Sequence, residues 1–400
     1  MNAAGASAPA GRERAARRPP TASPSASSSR FWSAVAVDGS WKELARSCVA
    51  QLAPAGRDAD LGFLYVTDAV SGHLPELLKY LRENTGVQNW TGSVGLGICT
   101  PHRAVFERPG IATMLAALPA DSFQVFRLAS ASAAFDPYDP QTKSWIARRK
   151  PVRGIVHCDP RRADLNETIA AAGAGSSSIL VGAASSARQT LVQIANGVVE
   201  DSLSGVLLTG DVPAIVGVTQ GCSAIGPTRR ITRAQGNVIL EIDGRPALEA
   251  FAADVGELQA RDLHRAARQM FVGFPLHSGD ENDYIVRYIF DIDAERKCFA
   301  VSQTIAERSD ILFCRRDAQS ATADLERMLK AMKLKLGGAP KGGLYFNCIA
   351  RGPNMFGPDF EELQRVRDIL GDFPLVGFFG NGEVSHNRLY YYTGVLMAFT

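Results

Sequence analysis

The chain has 400 residues, of which 46% are hydrophobic and 21% charged, and its formal net charge at pH 7 is only +2. This size and apolar content can fill the cores of two or three domains. Five arginines and one glutamate fall within residues 1–30, so the remainder is slightly acidic, which argues against nucleic acid as a partner.

The first thirty residues are rich in Ala, Ser, Pro and Arg and hold almost no large apolar side chain before Phe31. Such a segment cannot bury enough surface to offset its chain entropy, so we predict a disordered tail. An organelle transit peptide is an alternative, because these are Arg- and Ser-rich and acid-poor, but no amphipathic helix is evident among the prolines. A functional arm is the third interpretation.

Deletion of residues 1–29 is expected to leave the melting temperature and any ligand binding unchanged, because the tail lacks the apolar area needed to dock. Scanning calorimetry of the full and shortened chains would check this. A fall of several degrees in the melting temperature would show instead that the tail packs on the body.

The apolar segments that follow have a repeated order of elements. Two stretches predict strand, helix, strand and strand, at 61–67, 74–84, 91–99 and 110–118 and again at 343–350, 359–370, 375–379 and 388–399. A third, looser copy runs from residue 154 to 218. Runs that are apolar on both faces belong in sheets covered on both sides. We therefore predict an α/β fold, with mixed sheets built from repeated β-α-β-β units and helices outside.

The turn at Asp243-Gly244 marks a border between two domains, at 31–244 and 245–400. The second domain is predicted to open with a helix at 255–269 and a strand pair. A helix at 318–335 then leads to the C-terminal unit. We expect the glycine-rich strands 91–99 and 375–383 to lie beside one shared cleft, because duplicated units commonly bind ligands at their junction.

Two strings near the C-terminus predict a binding edge: Cys348-Ile-Ala-Arg351-Gly352 and Gly380-Asn381-Gly382-Glu383. Each follows or ends an apolar strand, and a helix lies between them. Two parallel strands joined by a crossover helix would bring both strings together. Glycine permits a close backbone approach, and Asn381 tolerates the left-handed region. The candidate ligand-binding residues are thus Cys348, Arg351, Gly352, Gly380, Asn381, Gly382 and Glu383.

The predicted roles at this edge follow from side-chain chemistry. Arg351 would bind a ligand carboxylate or phosphate through two parallel hydrogen bonds, although a surface salt bridge is an alternative. Asn381 and the turn amides would orient the ligand, and Glu383 would meet a positive group or face water. Cys348 and Cys222 would line a cleft, or else be small buried hydrophobic residues, as free cysteines commonly are.

These strings, together with 61–68, 89–95, Thr219-Gln-Gly221-Cys222 and 236–243, resemble the FIST family of F-box and intracellular signal transduction proteins. Cys348, Arg351 and Gly352 match the family's C-x-x-R-G string, and Gly221-Cys222 its Gly-Cys pair. The resemblance implies a sensory domain that binds small ligands, and it implies no reaction. The F-box of some eukaryotic members has no counterpart here, so a ubiquitin-ligase adaptor role does not follow.

The seven cysteines are spread singly, without a C-x-x-C pair or Cys-His ligand spacing, and no secretory signal precedes them. Reduced thiols in a cytoplasmic protein are therefore expected, with no metal site and no cofactor. The longest uncharged stretch, 168–187, is mostly Ala, Gly and Ser, too weakly apolar to span a bilayer, so no membrane partner is expected.

Two classes of function remain. The favoured one is a non-catalytic sensory protein that recognises an amino-acid-like or other small polar metabolite and reports to a separate signalling protein. The alternative is a cysteine-dependent enzyme acting on a small metabolite, with Cys222 or Cys348 as nucleophile and a histidine as base. An unusually fast alkylation of either thiol would favour the enzyme.

Overall fold

The computed structural model describes residues 1, 29–100, 102–128, 137–256, 263–267, 269–276, 284–357 and 360–400. Residues 2–28 of the predicted tail lie outside these ranges. The same holds for residues 257–262 and 268 of the predicted helix at 255–269, of which a helical segment at Leu263–Ala267 is described.

Three successive stretches of the chain share the element order β-α-β-α-β-β-β-β, to which the third adds one short helix, and each is called a repeat below. The first repeat consists of β1 (Arg30–Val37), α1 (Trp41–Leu52), β2 (Leu61–Thr67), α2 (Leu74–Thr85), β3 (Asn89–Gly95), β4 (Gly97–Cys99), β5 (Ala104–Phe106) and β6 (Gly110–Ala117). The second consists of β7 (Phe123–Leu128), α3 (Pro140–Arg149), β8 (Arg153–Cys158), α4 (Leu165–Ser176), β9 (Ile179–Ala184), β10 (Val192–Ala195), β11 (Val198–Glu200) and β12 (Leu203–Leu208).

The third repeat begins with β13 (Ala214–Gln220) and is interrupted by an insertion. The insertion holds β14 (Cys222–Ala224), β15 (Arg229–Gln235), β16 (Val238–Ile242), β17 (Arg245–Pro246), α5 (Ala247–Val255), α6 (Leu263–Ala267), β18 (Met270–Pro275), β19 (Tyr284–Asp293), β20 (Cys298–Val301) and β21 (Asp310–Arg316). The repeat resumes with α7 (Ala318–Leu336), β22 (Gly342–Cys348), α8 (Gly352–Phe356), α9 (Glu361–Leu370), β23 (Leu375–Gly380), β24 (Glu383–Ser385), β25 (Arg388–Tyr390) and β26 (Thr393–Phe399). Short 3-10 helices lie at Ala53–Ala55, Asp68–His73 and Ile349–Arg351.

Local sequence explains where the helices begin and end. Ser40 caps α1 in a capping box with Glu43, which satisfies backbone amides at the helix start. Gly86 ends α2 with a φ of 79°, a left-handed conformation that glycine adopts without a steric penalty. The acidic Asp139 and Asp317 accept backbone hydrogen bonds at the starts of α3 and α7.

Each repeat contributes four strands to its own mixed sheet. Its remaining two strands form a hairpin that extends the sheet of another repeat. The first sheet has the order β1-β6-β2-β3 and continues with the hairpin β10-β11 of the second repeat. The second sheet, β7-β12-β8-β9, continues with β24-β25 of the third repeat, and the third sheet, β13-β26-β22-β23, with β4-β5 of the first. The hairpins are thus exchanged cyclically among the three repeats.

This exchange corrects two predicted strands. The segment predicted as one strand at 91–99 is two strands, because Leu96 separates β3 in the first sheet from β4 in the third. The segment at 388–399 is likewise divided between β25 in the second sheet and β26 in the third. Strands from both sides of Gly244 therefore share the second and third sheets.

The three sheets pack around one apolar core and carry their helices on the outside, which confirms the predicted α/β class. At the centre, one ring from each sheet meets the other two. Tyr65, His157 and Phe346 have ring centroids 5.5 to 6.2 Å apart. No helix in the described ranges is long and apolar enough to cross a membrane.

A glycine marks the same position in every repeat. Each parallel strand pair contains one glycine at which a Cβ would lie 1.8 Å from the backbone oxygen of the opposite residue in the neighbouring strand. These glycines are Gly92, Gly182 and Gly377, opposite Leu64, Val156 and Tyr345. No side chain fits there, so the glycines align the three repeats residue by residue.

The insertion in the third repeat forms a six-stranded barrel that was not predicted. Its strands close in the order β21-β15-β16-β20-β19-β18 and back to β21. Phe251 of α5 packs inside against Phe299 and Phe313, with ring centroids 6.1 and 5.1 Å away. The barrel therefore has its own apolar core and joins the body between β13 and α7.

The predicted cleft between the glycine-rich strands is wrong in one respect. The segments do meet, because β4 and β23 are antiparallel neighbours in which Gly97 lies opposite Phe379 and Cys99 opposite Gly377. These residues are buried, and the Phe379 ring packs at a tilt against the Phe106 ring, with centroids 4.4 Å apart. The junction is consequently packed core rather than a cleft.

Candidate functional site

The strands that carry the two predicted strings are parallel neighbours, as expected. Cys348 at the end of β22 lies opposite Gly380 at the end of β23, and β26 pairs with the other edge of β22. Strand β13 follows β26, with Gln220 opposite Thr393. The carboxyl ends of β13, β22 and β23 therefore meet at one edge of the third sheet.

Arg351 is fully buried just beyond β22 and forms an ion pair with Glu362 of α9. Its Nη2 donates to Glu362 Oε1 at 2.5 Å, and the guanidinium carbon lies 5.0 Å from the centre of the Phe356 ring. Burial acts to lower the pKa of Arg351, but the charge of Glu362 outweighs it and the pKa is raised. Arg351 thus stays charged inside the protein.

Two side chains of β22 also donate hydrogen bonds to Glu362. Tyr345 Oη donates to Glu362 Oε1 at 2.6 Å, and Asn347 Nδ2 donates to Oε2 at 2.6 Å. Burial, and next the charge of Glu362, raise the pKa of Tyr345, so its hydroxyl keeps its proton. Sequence analysis missed this carboxylate and its partners, although one polar residue, Asn347, in an otherwise apolar strand is a signal of such a network.

Glu383 is also fully buried and is held by β26. Its Oε2 accepts hydrogen bonds from Thr393 Oγ1 at 2.8 Å and from Thr393 N at 3.2 Å. Burial raises the pKa of Glu383 to about 8, against the lowering effect of Thr393 and of the Arg351 charge. At neutral pH the carboxyl is therefore mainly protonated and uncharged.

Several buried polar atoms at this edge have no hydrogen-bond partner among the described residues. They are Arg351 Nε and Nη1, Asn347 Oδ1, Gln220 Oε1 and Glu383 Oε1. A Cβ on Gly221 would lie only 3.3 Å from Arg351 Nη1, so the unpartnered side of the guanidinium faces the end of β13. Buried polar atoms normally find partners, and a cluster without them indicates a bound molecule or water. These residues are called the Arg351 cluster below.

The glycine turn after β23 contacts segments of the protein itself. Asn381 is exposed, and its backbone amide donates to Ala184 O at 3.0 Å. A Cβ on Gly380 would lie 2.6 Å from the Cβ of Ala183, and one on Gly352 would lie 3.2 Å from the Phe106 ring. The close approach that these glycines permit is therefore to the protein's own neighbouring segments.

Both candidate cysteines are buried. Burial raises the pKa of the Cys348 thiol, and the neighbouring Glu383 adds to this, so the reactive thiolate is disfavoured. Cys222 begins β14, the first strand of the insertion, and its carbonyl accepts a hydrogen bond from Tyr284 Oη at 2.6 Å. In the described part of the chain no hydrogen bond joins a histidine to either thiol, and His157 bonds Tyr65 and Thr91 in the central core instead.

The barrel covers the strand ends that carry the Arg351 cluster. Arg287 of β19 lies over the Tyr391 ring at 5.1 Å, and Arg316 of β21 lies over the Tyr392 ring at 5.7 Å. Phe271 of β18 contacts Tyr392 with ring centroids 4.7 Å apart. Because Tyr391 and Tyr392 directly precede Thr393, the barrel is coupled to the segment that holds Glu383.

Comparison with protein families matches both halves of this architecture. A FIST N domain covers residues 60–245, and a FIST C domain covers residues 247–386. The chain belongs to the FIST family. FIST domains are associated with sensory roles in signal transduction.

Two relatives of this FIST protein are uncharacterized mycobacterial proteins. One, from Mycobacterium tuberculosis, is 32% identical over 213 residues, which are 50% of this chain and 55% of the relative. The other, from Mycobacterium bovis, is 28% identical over 210 residues, 50% of this chain and 54% of the relative. The matched part thus spans about half the length of these relatives.

Among solved structures, a crystal structure of cyanuric acid hydrolase from A. caulinodans matches with a TM-score of 0.34 and 7% sequence identity, covering 93% of this chain and 99% of that chain. A likeness at this score carries no weight for fold or function. Within the described ranges, no group of three or more His, Cys, Asp or Glu side chains is arranged to hold a metal ion.

Proposed function

We propose that this FIST protein is a non-catalytic sensor whose Arg351 cluster binds a small amino-acid-like metabolite. The observation that carries this proposal is the convergence of unpartnered buried donors and acceptors at the ends of β13 and β22 and at the start of β24. Leaving several such atoms without partners costs about 1 to 3 kcal/mol each, so a ligand that satisfied them would be strongly favoured.

The chemistry of these atoms favours a molecule with a carboxylate and an ammonium group. Arg351 Nε and Nη1 are two unused donors on different sides of one guanidinium, and each would donate a separate charge-assisted hydrogen bond to an anionic group such as a carboxylate. The unused oxygens of Asn347 and Gln220 are acceptors for N–H groups. An α-amino acid presents both groups within one small molecule.

The contact between barrel and body supplies a route for reporting the ligand. The Arg351 cluster is buried beneath the barrel, so a ligand must displace the barrel, at least transiently, to enter. Gly221 joins β13 to β14, the strand of the insertion that pairs with barrel strand β21, and lies against Arg351. A ligand in contact with Arg351 would therefore shift the balance between barrel positions, and a separate signalling protein would recognise the changed surface.

Replacement of Arg351 by lysine is the direct test. Lysine keeps the charge but loses the planar guanidinium with its two free donors, so affinity should fall by about 1 to 3 kcal/mol, roughly fivefold to 150-fold. Native mass spectrometry of the protein from its own host identifies a co-purifying metabolite, and thermal shifts with the twenty amino acids supply probes for calorimetry. Conversion of the bound metabolite would favour the enzyme alternative.

Arg365→Lys is a matched control, because Arg365 also pairs with a glutamate of the same region but is partly exposed. Its affinity for the probe should equal that of the wild type. The predicted role of Asn381 is tested by Asn381→Ala in the same titration. Unchanged affinity in Arg351→Lys would place the site elsewhere, with Cys222 the next position to test.

A further inference from the structure

The three repeats have structurally equivalent strand ends, and the surroundings of these ends differ. Thr67, Asp159 and Cys348 occupy the same position, three residues after the residue that faces the aligned glycine. Asp159 is satisfied by Arg161, whose backbone N and side-chain Nη2 donate to it at 2.9 and 2.5 Å. Cys348 borders the Arg351 cluster. At Thr67, in contrast, the strand end opens on a surface groove.

This groove has a volume of about 420 Å³ and is called the Asp68 groove. One wall is the 3-10 helix Asp68–His73, and the other is the connection between β9 and β10 of the second repeat. Gln193 and Glu383 are equivalent positions, because each faces the residue that follows an aligned glycine. The connection to Gln193 is the longer one: Gln193 lies eleven positions after Gly182, whereas Glu383 lies six positions after Gly377. The longer connection brings Arg188, Gln189 and Thr190 to the groove.

The polar groups of the groove are unbalanced in charge. Among its lining residues, Asp68 and Glu107 are carboxylates and Arg188 is the single guanidinium. Arg188 Nη2 is already engaged by Glu107 Oε1 at 2.7 Å, and the Arg188 amide donates to Asp68 Oδ2 at 3.2 Å. Asp68 Oδ1 is buried and has no partner among the described residues. A carboxylate oxygen beneath an accessible groove is thus left to accept hydrogen bonds.

We propose that the Asp68 groove is a second binding site of this protein, for a small molecule that carries a primary ammonium group beside a hydroxyl. The ammonium donates to Asp68 Oδ1, and the surplus carboxylate balances its charge. Ser71 and Thr190 border the same groove, and since Ser71 Oγ already donates to Asp68 O at 2.7 Å, it can accept a hydrogen bond from the ligand's hydroxyl, with the Thr190 hydroxyl as a second partner. A ligand carboxylate is disfavoured, because Arg188 is already paired. This site shares no residue with the Arg351 cluster and does not depend on the function proposed for it.

Ethanolamine is the probe for this site, and ethylene glycol and glycolate are its neutral and acidic counterparts. Saturation-transfer NMR on the full chain should show binding of ethanolamine and not of the other two. Asp68→Asn should weaken ethanolamine binding by about tenfold or more, the effect of losing one charge-assisted hydrogen bond. Asp58→Asn, which removes an exposed carboxylate paired with Arg30, should bind like the wild type. Arg351→Lys should also bind ethanolamine normally, which separates this site from the Arg351 cluster.

Equal binding of ethylene glycol would overturn the assignment, because it would show that the charge is not recognised. Undiminished binding by Asp68→Asn would do the same. Displacement of ethanolamine by potassium chloride at matched concentration would show a bare cation site rather than a site for an organic ammonium. Absence of ethanolamine binding in the wild-type protein would also contradict the proposal.

Discussion

Glu362→Ala is expected to lower the free energy of unfolding by about 3 to 5 kcal/mol. The substitution removes the carboxylate that accepts hydrogen bonds from Arg351, Tyr345 and Asn347, all of which are buried. The guanidinium would then remain charged inside the protein without its counter-ion, which costs far more than the loss of a surface ion pair. Denaturant unfolding of the wild-type and variant proteins measures the difference.

Glu361→Ala is the matched control, because Glu361 is the preceding residue of α9 and its side chain is 63% exposed. It should cost well under 1 kcal/mol. A double variant, Arg351→Met with Glu362→Leu, should recover much of the stability, since it leaves no unpaired charge in the core. If Glu362→Ala were no more harmful than Glu361→Ala, water would have to reach Arg351 in the free protein.

Glu383→Gln is expected to remove a pH-dependent loss of stability. The folded protein raises the pKa of Glu383 from 4.5 to about 8, so between these values the native state holds a proton that the unfolded chain releases. The stability that this bound proton adds to the folded state is fully present below about pH 4.5 and is lost as the pH rises towards 8. Glutamine cannot ionise, so the variant should gain about 1 to 5 kcal/mol relative to the wild type across this window.

The second repeat shows that glutamine is accommodated at this position. Gln193 and Glu383 occupy equivalent positions, since Gln193 lies opposite Ser93 and Glu383 lies opposite Ala183. Gln193 Oε1 accepts a hydrogen bond from Ser202 Oγ at 2.9 Å, as Glu383 accepts one from Thr393. Unfolding curves from pH 5 to 9 would measure the difference, with exposed Glu361→Gln as the control. A constant difference between Glu383→Gln and the wild type across that range would mean that Glu383 ionises normally in the folded protein.

Much of the fold follows from patterns within short windows of the sequence. Apolar runs such as 61–67 and 343–348 identify strands buried on both faces, because their local composition has no other stable environment. The glycine in each second strand and the repeated order of elements predict a duplicated α/β architecture. The parallel pairing of β22 and β23 also follows, because a crossover helix joins them.

The exchange of hairpins could not be predicted in the same way. Leu96 separates β3 from β4, but nothing local distinguishes a short break from a continuous strand, and the partner of β4 lies on β23, almost three hundred residues later. Sheet membership depends on which distant edge is free. The barrel was missed for the same reason, since its closing pair β18 and β21 is defined by contact and not by spacing.

The features of the candidate site likewise fall into those that the sequence predicts and those that only the tertiary structure shows. The sequence by itself determined that Cys348, Arg351 and Glu383 belong to strand ends close in space, because two parallel strands and one crossover helix bring them together. Only the tertiary structure decided that Arg351 is buried against Glu362, that Asn381 points to solvent and that the barrel covers the cluster. Local sequence sets backbone conformation and apolar faces, whereas the partner of a buried charge is set by which distant segments share its environment.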